Sequence, residues 1–353
     1  MKVLVIQKKR IGDVLTSTVI FEAIKQKYPD SELHYLIYEN ALAVVENNPF
    51  IDKIVVLNES IRKSKRKFLS FLFSIRKEKY DVVIDAYGKP NSVLIGWFSG
   101  AKIKVTFDKI YSRIFYSHSI IRNTASFSKA TKAIEHRMLL LKPLGIDFSE
   151  ISPKIFLTDL EKEVARKILT NYGVDFSKKL VMISALGSNE MKTYPFKMMA
   201  EVLDEVCLNR EIQLLFNYLP FQKQDALKIY RLCNYDTQKK ILIDFYEDDL
   251  RKFLAITSLC DALIGNEGGA TNMSKALSIA TFTIFSPVVP KLDWNMFENE
   301  DTIISVHISD YKNKDNESQM ELYYHQQKIP ALYQYLNLSN FKDKLTHFLN
   351  FNC

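Results

Sequence analysis

The sequence predicts an α/β protein of two parallel-sheet domains in series, and three observations support this fold class. Short apolar or β-branched runs alternate with helical patterns from the first residues onward, which is typical of βαβ units. The alternation breaks once, around 142–145 and Ser152-Pro153, and then begins again. With 353 residues, of which 47% are hydrophobic, the chain can bury two separate cores.

The first domain is expected to contain five strands, each a short apolar run typical of a buried parallel strand. These strands are 3–6, 33–37, 54–57, 81–85 and 102–105. Apolar residues at helical spacing predict helices around them. These helices are 13–28, 41–47, 60–79, 91–98 and 131–141. The stretch 107–129 shows no regular period, so the sequence predicts no element there.

The second domain repeats the alternation. Its expected strands are 180–184, 212–216, 241–243, 262–264 and 282–285. Its expected helices are 159–172, 196–208, 221–233, 248–259 and 269–277. Beyond Pro290 the pattern weakens until a last amphipathic helix, 331–349. We therefore expect domains at 1–155 and 156–325, with a C-terminal helix in 326–353 that packs back on the first domain.

Charge and composition narrow the class of protein. The net charge of +7 favours an acidic ligand or an anionic surface, and no nucleic-acid-binding motif accompanies it. The four cysteines are widely spaced, with no pair typical of a zinc site or a disulfide framework, so a reducing cytoplasm is expected. The N-terminal apolar run is too short for a signal peptide, and 68–75 is too short to span a membrane. A soluble or peripheral protein is expected.

Three of the ten glycines fall in the run 265–269, between an expected strand and an expected helix. A glycine-rich turn in that position directs unpaired backbone N–H groups and the positive end of a helix dipole at one point, which suits a phosphate. A tight turn without a ligand is the alternative.

A second turn with binding chemistry is 184–195, which contains Gly187, Ser188 and Lys192. Small and hydroxylic residues let donors approach phosphate oxygens, and Lys192 supplies a positive charge. The turn is not a Walker loop, because GxxxxGK[ST] is absent, and a solvated surface lysine is the alternative. Two such turns in one domain favour a shared diphosphate site.

The turn after the first strand, 7–14, contains Gly12 and Asp13. Gly12 lets the chain turn closely, and Asp13 stands at a helix start, where it either caps free N–H groups or acts as a general base toward a hydroxyl. GxGxxG is absent from this turn, which argues against a nicotinamide dehydrogenase. We find no paired carboxylates typical of a metal site, so metal-free chemistry is expected.

A basic run, 62–67, precedes the aromatic stretch 68–73. One interpretation is a domain helix with its Lys and Arg side chains in water. The other is a basic edge that meets anionic lipid headgroups or an acidic acceptor.

Several of these motifs together resemble the lipopolysaccharide heptosyltransferases, glycosyltransferase family 9. The opening MKVLVI with the following IGDVL, Asp85 with Ser92, and Gly100-Ala101 match the family's pattern. So does Lys192-Thr193-Tyr194-Pro195, and the GNEGGA turn occupies the place of a family motif. The resemblance implies a GT-B architecture of two Rossmann-like domains facing across a cleft, with the acceptor on the first and the nucleotide-sugar on the second.

The resemblance also implies inverting, metal-independent transfer of heptose from ADP-heptose to a lipid-linked lipopolysaccharide core or related surface glycan. It requires no cofactor beyond the nucleotide-sugar substrate and places the protein at the inner face of the cytoplasmic membrane. Asp13 is then the general base and Lys192 the counter-charge to the diphosphate. The donor-binding residues would be Gly187, Ser188, Asn266, Glu267, Gly268, Gly269, Ala270 and Phe245. The acceptor-binding residues would be Gly12, Arg10, Arg62, Lys63, Lys65 and Arg66.

Three residues depart from the family's common pattern. Glu267 stands where an Asp is usual, Gly268 replaces a hydroxyl residue and Asn272 replaces a His. Phe245 fits a position in the hydrophobic core as well as a wall of the pocket for the donor's nucleobase. The alternatives are therefore a transferase for another nucleotide-sugar, a non-catalytic binder of nucleotide-sugars or anionic glycans, and a basic peripheral membrane or nucleic-acid binder.

Overall fold

All strand pairs in the described part of the chain are parallel, and they form two separate sheets. The computed structural model describes residues 1–311, 320–321 and 328–353. The first of its two units comprises Met1–Phe156 with Leu292–Met296, and the second Leu157–Lys291 with Phe297–Cys353. The boundary expected after 155 thus lies beside the observed division. The boundary expected at 325–326 lies outside the described residues.

The first sheet has six strands in the order β3-β2-β1-β4-β5-β6. They are β1 (Lys2–Ile6), β2 (Glu32–Ile37), β3 (Lys53–Val56), β4 (Val82–Asp85), β5 (Ile103–Phe107) and β6 (His118–Ile120). The order reverses between β1 and β4, and ligands in open parallel sheets bind at such a point, beyond the carboxyl ends of the strands. The sequence missed β6, because its three residues, HSI, are partly exposed at the sheet edge and form no apolar run.

The α-helices of the first unit are mostly those expected, but two of them are broken. They are Ile11–Thr16, Val19–Lys27, Glu59–Lys63, Lys65–Lys77, Pro90–Phe98 and Thr131–Leu139, with 3₁₀ turns at Glu39–Val44 and Lys142–Leu144. The first break follows Thr16, where the hydroxyls of Ser17 and Thr18 donate to the carbonyl oxygens of Asp13 and Leu15 and so compete with the helix backbone.

The second break divides the expected helix 60–79 at Ser64. The backbone of Ser64 is extended (φ −113°, ψ 116°), and its hydroxyl accepts a hydrogen bond from the amide of Lys67. Ser64 therefore caps a new helix instead of continuing the old one.

The second sheet has five strands in the order β11-β10-β9-β7-β8. They are β7 (Lys179–Ser184), β8 (Ile212–Asn217), β9 (Ala262–Asn266), β10 (Ala280–Ile284) and β11 (Ile303–Val306). The reversal lies between β7 and β9. The strand expected at 241–243 was wrong: Ile241 makes one isolated bridge, to Leu214, and the amide of Ile243 then turns back to the Ile241 carbonyl. The sequence missed β11.

Helices surround this sheet as well. They are Asp159–Asn171, Phe196–Cys207, Lys223–Leu232, Tyr235–Lys240, Leu250–Thr257, Gly269–Ala276, Ile329–Leu332 and Leu338–Asn352, with a short helix Lys291–Trp294 at the division between the units. Four 3₁₀ turns accompany them, at Glu190–Lys192, Pro220–Gln222, Ile308–Tyr311 and Tyr333–Tyr335.

The C-terminal helix Leu338–Asn352 belongs to the core of the second unit, whereas the sequence suggested that it packs on the first. Its apolar residues Phe341, Leu345, Phe348 and Leu349 are at helical spacing and buried in that core. The rings of Phe341 and Phe348 lie 5.9 and 5.7 Å from the ring of Phe282 on β10. The α/β class with two Rossmann-like parallel sheets is confirmed. No helix of the described residues is long and apolar enough to cross a bilayer.

Candidate active site

A cavity of about 510 Å³ opens in the first unit where the strand order reverses. Its walls come from the segments that follow β1, β4, β5 and β6, together with the helix Thr131–Leu139. The lining residues are Gln7, Lys9, Arg10, Asp13, Ala86, Tyr87, Lys89, Phe107, Lys109, Arg122, His136 and Arg137. Asp13 is the one carboxylate among them, and six are Lys or Arg, so this cavity favours an anionic ligand.

Asp13 is held by an arginine that the sequence analysis missed. Arg137 Nη2 donates to Asp13 Oδ1 at 2.7 Å, and Arg137 Nε donates to Ser17 Oγ at 3.3 Å. The capping alternative for Asp13 was wrong, since its carboxylate pairs with Arg137 and the helix begins after Arg10 without a side-chain cap. The ion pair fixes the carboxylate at the cavity wall and leaves Asp13 25% exposed.

Arg10, and not Gly12, makes the turn after β1. Arg10 has a φ of +61°, a conformation that costs free energy in a residue with a Cβ and that is concentrated at functional sites. Gly12 lies inside the helix Ile11–Thr16, with no heavy atom within 4 Å of the position of a Cβ. Gly12 is also absent from the cavity lining. The prediction that Gly12 makes the close turn after β1 was therefore wrong.

The four other basic residues predicted to bind the acceptor do not line this cavity. Arg62 stacks on the ring of Tyr38 at 4.3 Å, and Lys63 pairs with Glu59 at 2.7 Å. Lys65 and Arg66 are exposed on the next helix. Basic residues that are adjacent in sequence therefore do not indicate where the basic residues of the cavity lie.

The basic residues of the cavity follow different strands: Lys9 comes after β1, Lys89 after β4, Lys109 after β5 and Arg122 after β6. A Lys or Arg soon after each of several parallel strands was the signal that could have found them. Burial lowers the pKa of Lys109 and of Arg122, and the neighbouring positive charges lower both further. An anionic ligand would relieve this repulsion.

A buried carboxylate shapes the turn after β4. Asp85 is fully buried and accepts hydrogen bonds from the amide of Gly88 at 2.8 Å and the hydroxyl of Tyr116 at 2.8 Å. Burial raises the pKa of Asp85, and it lowers the pKa of the nearby Lys8 to about 8. The Lys8 ammonium lies 5.2 Å from the ring centre of Tyr87. These contacts, with the hydrogen bond from the Tyr87 amide to Asp85 Oδ1 at 3.1 Å, hold Tyr87 at the cavity wall.

In the second unit, the two turns predicted to share a site do touch. The Asn266 side chain joins them, because its Nδ2 donates to the Ser184 carbonyl at 2.9 Å and its Oδ1 accepts from the Tyr194 amide at 2.7 Å. At Gly265 the φ is +132°, and a Cβ would overlap the carbonyl oxygen of Ser184. Strands β7 and β9 approach so closely there that only glycine fits.

Lys192 and Glu267 face each other across these turns. Lys192 Nζ lies 3.7 Å from Glu267 Oε2, and the Glu267 side chain is 11% exposed. Oε2 is buried and accepts no hydrogen bond from any residue that the structure describes. Burial raises the pKa of Glu267 despite the opposing charge of Lys192. An ionised Glu267 is therefore costly in this environment.

Gly187 differs from its predicted role. Its amide already donates to the Thr193 hydroxyl at 3.1 Å, and a Cβ at this position would overlap the Lys192 carbonyl oxygen. Gly187 thus permits the Lys192 turn to fold back closely instead of offering a free N–H. Ser188 lines a second cavity, of about 490 Å³, with aromatic walls from Phe196 and Phe221.

Gly268, Gly269 and Ala270 form the start of the helix Gly269–Ala276, as predicted. The first amides of any helix lack an intrahelical partner, so these residues present N–H groups beside the Lys192–Glu267 pair. Phe245 is a core residue: it is 2% exposed, and its ring packs edge-to-face on Tyr172 at 5.3 Å. This burial does not support the interpretation of Phe245 as a wall for the donor's nucleobase.

Replacing Glu267 with Gln is expected to stabilise the protein in a pH-dependent way. The pKa of Glu267 is raised in the folded state, so the wild type loses stability as the pH rises from the unfolded pKa through the folded one. Gln carries no charge at any of these pH values. We expect the gain in free energy of unfolding to be near zero at pH 4 and positive at pH 8.

Urea denaturation of Glu267→Gln and the wild type at both pH values measures this difference. The exposed Glu163→Gln is the matched control and should show no such trend. If the gain in free energy of unfolding at pH 8 is no larger than at pH 4, or is negative, burial does not destabilise the ionised Glu267.

The chain matches the family model of glycosyltransferase family 9 (heptosyltransferase) over residues 68–324. A related protein, lipopolysaccharide heptosyltransferase 1 of Campylobacter coli, is 22% identical over 296 residues, which cover 81% of this chain and 84% of that protein.

Two solved structures are similar in fold. A glycosyl transferase family 9 protein from Veillonella parvula has a TM-score of 0.73 at 19% identity and covers 93% of this chain and 89% of its own. E. coli heptosyltransferase WaaC with ADP-2-deoxy-2-fluoro heptose has a TM-score of 0.65 at 15% identity and covers 93% of this chain and 100% of its own. These likenesses confirm the GT-B fold class. Because the family model covers most of the chain, the protein belongs to glycosyltransferase family 9 and is a glycosyltransferase of the heptosyltransferase type.

Proposed function

We propose that this enzyme transfers heptose from ADP-heptose to a hydroxyl of a lipopolysaccharide-core or related surface-glycan acceptor, with inversion and without a metal. One relative is named a lipopolysaccharide heptosyltransferase, and a similar structure holds an ADP-linked fluoro-heptose. The observation that carries the proposal is the Arg137-held Asp13 at the wall of a cavity with six Lys and Arg residues.

The acceptor half of the reaction falls to the first unit. Asp13 accepts the proton of the acceptor hydroxyl as the oxygen attacks the anomeric carbon of the donor sugar. The new C–O bond forms on the face opposite the diphosphate, so a single displacement inverts the configuration at that carbon. The Lys and Arg residues of the cavity bind phosphate or carboxylate groups on the acceptor and so position its hydroxyl.

The donor half falls to the second unit. As the bond between sugar and diphosphate breaks, negative charge grows on the departing ADP. Lys192 offsets that charge, and the amides at the start of the helix Gly269–Ala276 donate to phosphate oxygens. Glu267 is close to Lys192, and we assign it a contact with the donor sugar. Because it is longer than the family's usual Asp, we infer that donor choice depends on it.

The test is release of nucleoside diphosphate by the purified enzyme with ADP-heptose, in the presence and absence of a core acceptor bearing phosphate or carboxylate groups. We expect release only with both substrates, and equal rates with and without EDTA. Other ADP- and UDP-sugars serve as competing donors in the same assay. Faster turnover with another donor would overturn the assignment of heptose, and loss of activity in EDTA would overturn metal independence.

A further inference from the structure

An exposed apolar surface on the first unit has no role in the proposed reaction. Five large side chains on three segments are between 38% and 86% exposed. They are Leu69, Phe73, Trp97, Ile114 and Phe115, here named the apolar patch. None of them lines the cavity that holds Asp13. Contiguous apolar surface of this kind on a water-exposed protein indicates an interaction site.

The patch is continuous because its aromatic rings touch. The ring of Phe73 contacts Phe98 at 5.2 Å between centroids, Phe98 contacts Trp97 at 6.5 Å, and Trp97 contacts Phe115 at 6.1 Å. The helices Lys65–Lys77 and Pro90–Phe98 pack side by side and place these rings on one surface. Ile114, next to Phe115 in the chain, is 86% exposed.

The positive charge beside the patch comes from one helix. The segment 65–77 contains five Lys and Arg residues and no Asp or Glu, whereas Arg113, next to Ile114, is paired with Asp108 at 2.6 Å. On the helix Lys65–Lys77, the exposed residues Arg66, Leu69, Phe73 and Lys77 share one face at helical spacing, with a basic residue at each end. The patch is therefore apolar in its centre and cationic along the border that this helix forms.

We propose that the apolar patch and its basic border dock this enzyme onto an anionic lipid bilayer. The aromatic and aliphatic side chains enter the boundary between headgroups and acyl chains, where Trp is favoured, and the Lys and Arg side chains contact lipid phosphates. Apolar insertion and charge attraction are each weak alone, and together they give stable but reversible attachment. The inference rests on the proposed function, since a lipid-linked acceptor is presented at such a surface.

The test measures co-sedimentation of the full-length protein with vesicles of phosphatidylethanolamine and phosphatidylglycerol at 3:1, and with pure phosphatidylcholine. We expect binding to the anionic vesicles that weakens as NaCl rises from 0.1 to 0.5 M. The double variant Phe73→Ser, Trp97→Ser should lose about tenfold or more in partition coefficient. The pair Lys67→Gln, Lys77→Gln should lose about thirtyfold in partition coefficient on anionic vesicles, because each of the two Lys near such a surface contributes about 1 kcal/mol.

The matched control is Tyr235→Ser with Phe351→Ser, which removes two exposed aromatic side chains of the second unit. It should bind vesicles as the wild type does. A direct readout uses the two tryptophans: in a Trp294→Phe background, Trp97 is the sole tryptophan. Its fluorescence should be quenched by vesicles with brominated acyl chains.

Absence of vesicle binding, wild-type binding by the Phe73→Ser, Trp97→Ser variant, or unquenched Trp97 would each overturn the proposal. A dimer that this variant dissociates, without vesicle binding by the wild type, would assign the patch to a second copy of the chain instead. Transfer to a delipidated, water-soluble acceptor separates the two proposals. The Phe73→Ser, Trp97→Ser variant should retain that activity. If the wild type binds vesicles but transfers sugar to no acceptor, the proposed function alone is rejected.

Discussion

Replacing Asp13 with Asn is expected to lower kcat by about 10²- to 10⁴-fold, the range that a positioned general base contributes. Asn has the same shape, and its Oδ1 can still accept the hydrogen bond from Arg137 Nη2, which in the wild type is 2.7 Å long. The Asn amide cannot take up the proton of the acceptor hydroxyl. The KM for the nucleotide-sugar should change little, because Asp13 belongs to the first unit and the donor turns to the second.

The exposed Asp30→Asn is the matched control and should leave kcat and KM unchanged. Arg137→Met tests the positioning of the base: it removes the guanidinium and leaves Asp13 in place, so kcat should fall less than in Asp13→Asn, while Arg137→Lys should restore part of it. If Asp13→Asn keeps more than about a tenth of the wild-type turnover, Asp13 is not the base.

Replacing Lys192 with Met is expected to reduce kcat/KM by about 10²- to 10³-fold, as for the loss of one charge-stabilising donor at a reacting centre. Met keeps the length and apolar stem of the side chain and removes its charge. ADP should also bind more weakly, which isothermal titration calorimetry measures independently of turnover. A second consequence concerns Glu267, which loses its ion pair with Lys192, so the variant should unfold more readily at pH 8 than at pH 5.

Lys197→Met, on the adjacent exposed helix surface, is the matched control. It should change neither ADP affinity nor turnover. Unchanged ADP affinity in Lys192→Met would place the diphosphate elsewhere in the second unit. In that case the cavity lined by Ser188, Phe196 and Phe221 becomes the first place to search.

The sequence predicted the buried strands and the two-sheet fold well because these strands are continuous apolar runs. Val3–Ile6 on β1 is one such run, and it is fully buried. The sequence missed the remaining features for related physical reasons. The edge strand β6 is short and polar, and the helix breaks at Thr16 and Ser64 depend on side-chain hydroxyls bonding to backbone groups, which an apolar period does not reveal.

The candidate site was predictable only near the carboxyl ends of strands. Asn266 is the last residue of β9, Lys192 lies in the segment after β7, and Asp13 lies in the first helix after β1. The turns of Lys192 and Asn266 do meet. Arg137 is 124 residues from Asp13, and tertiary packing alone brings them together. The basic run 62–67 drew attention because its charges are adjacent in sequence, whereas the charges of the cavity are adjacent only in space.

The three glycines of the GNEGG turn are not equivalent, and the difference concerns how this enzyme can evolve. Gly265 is fixed by the close approach of β7, so any replacement there costs the fold. Gly268 has an extended backbone (φ 164°) and no heavy atom within 4 Å of a Cβ position, so the fold has room for a Cβ there. In the turn that we propose binds the donor, position 268 is therefore open to variation, while position 265 is fixed by the sheet beneath it.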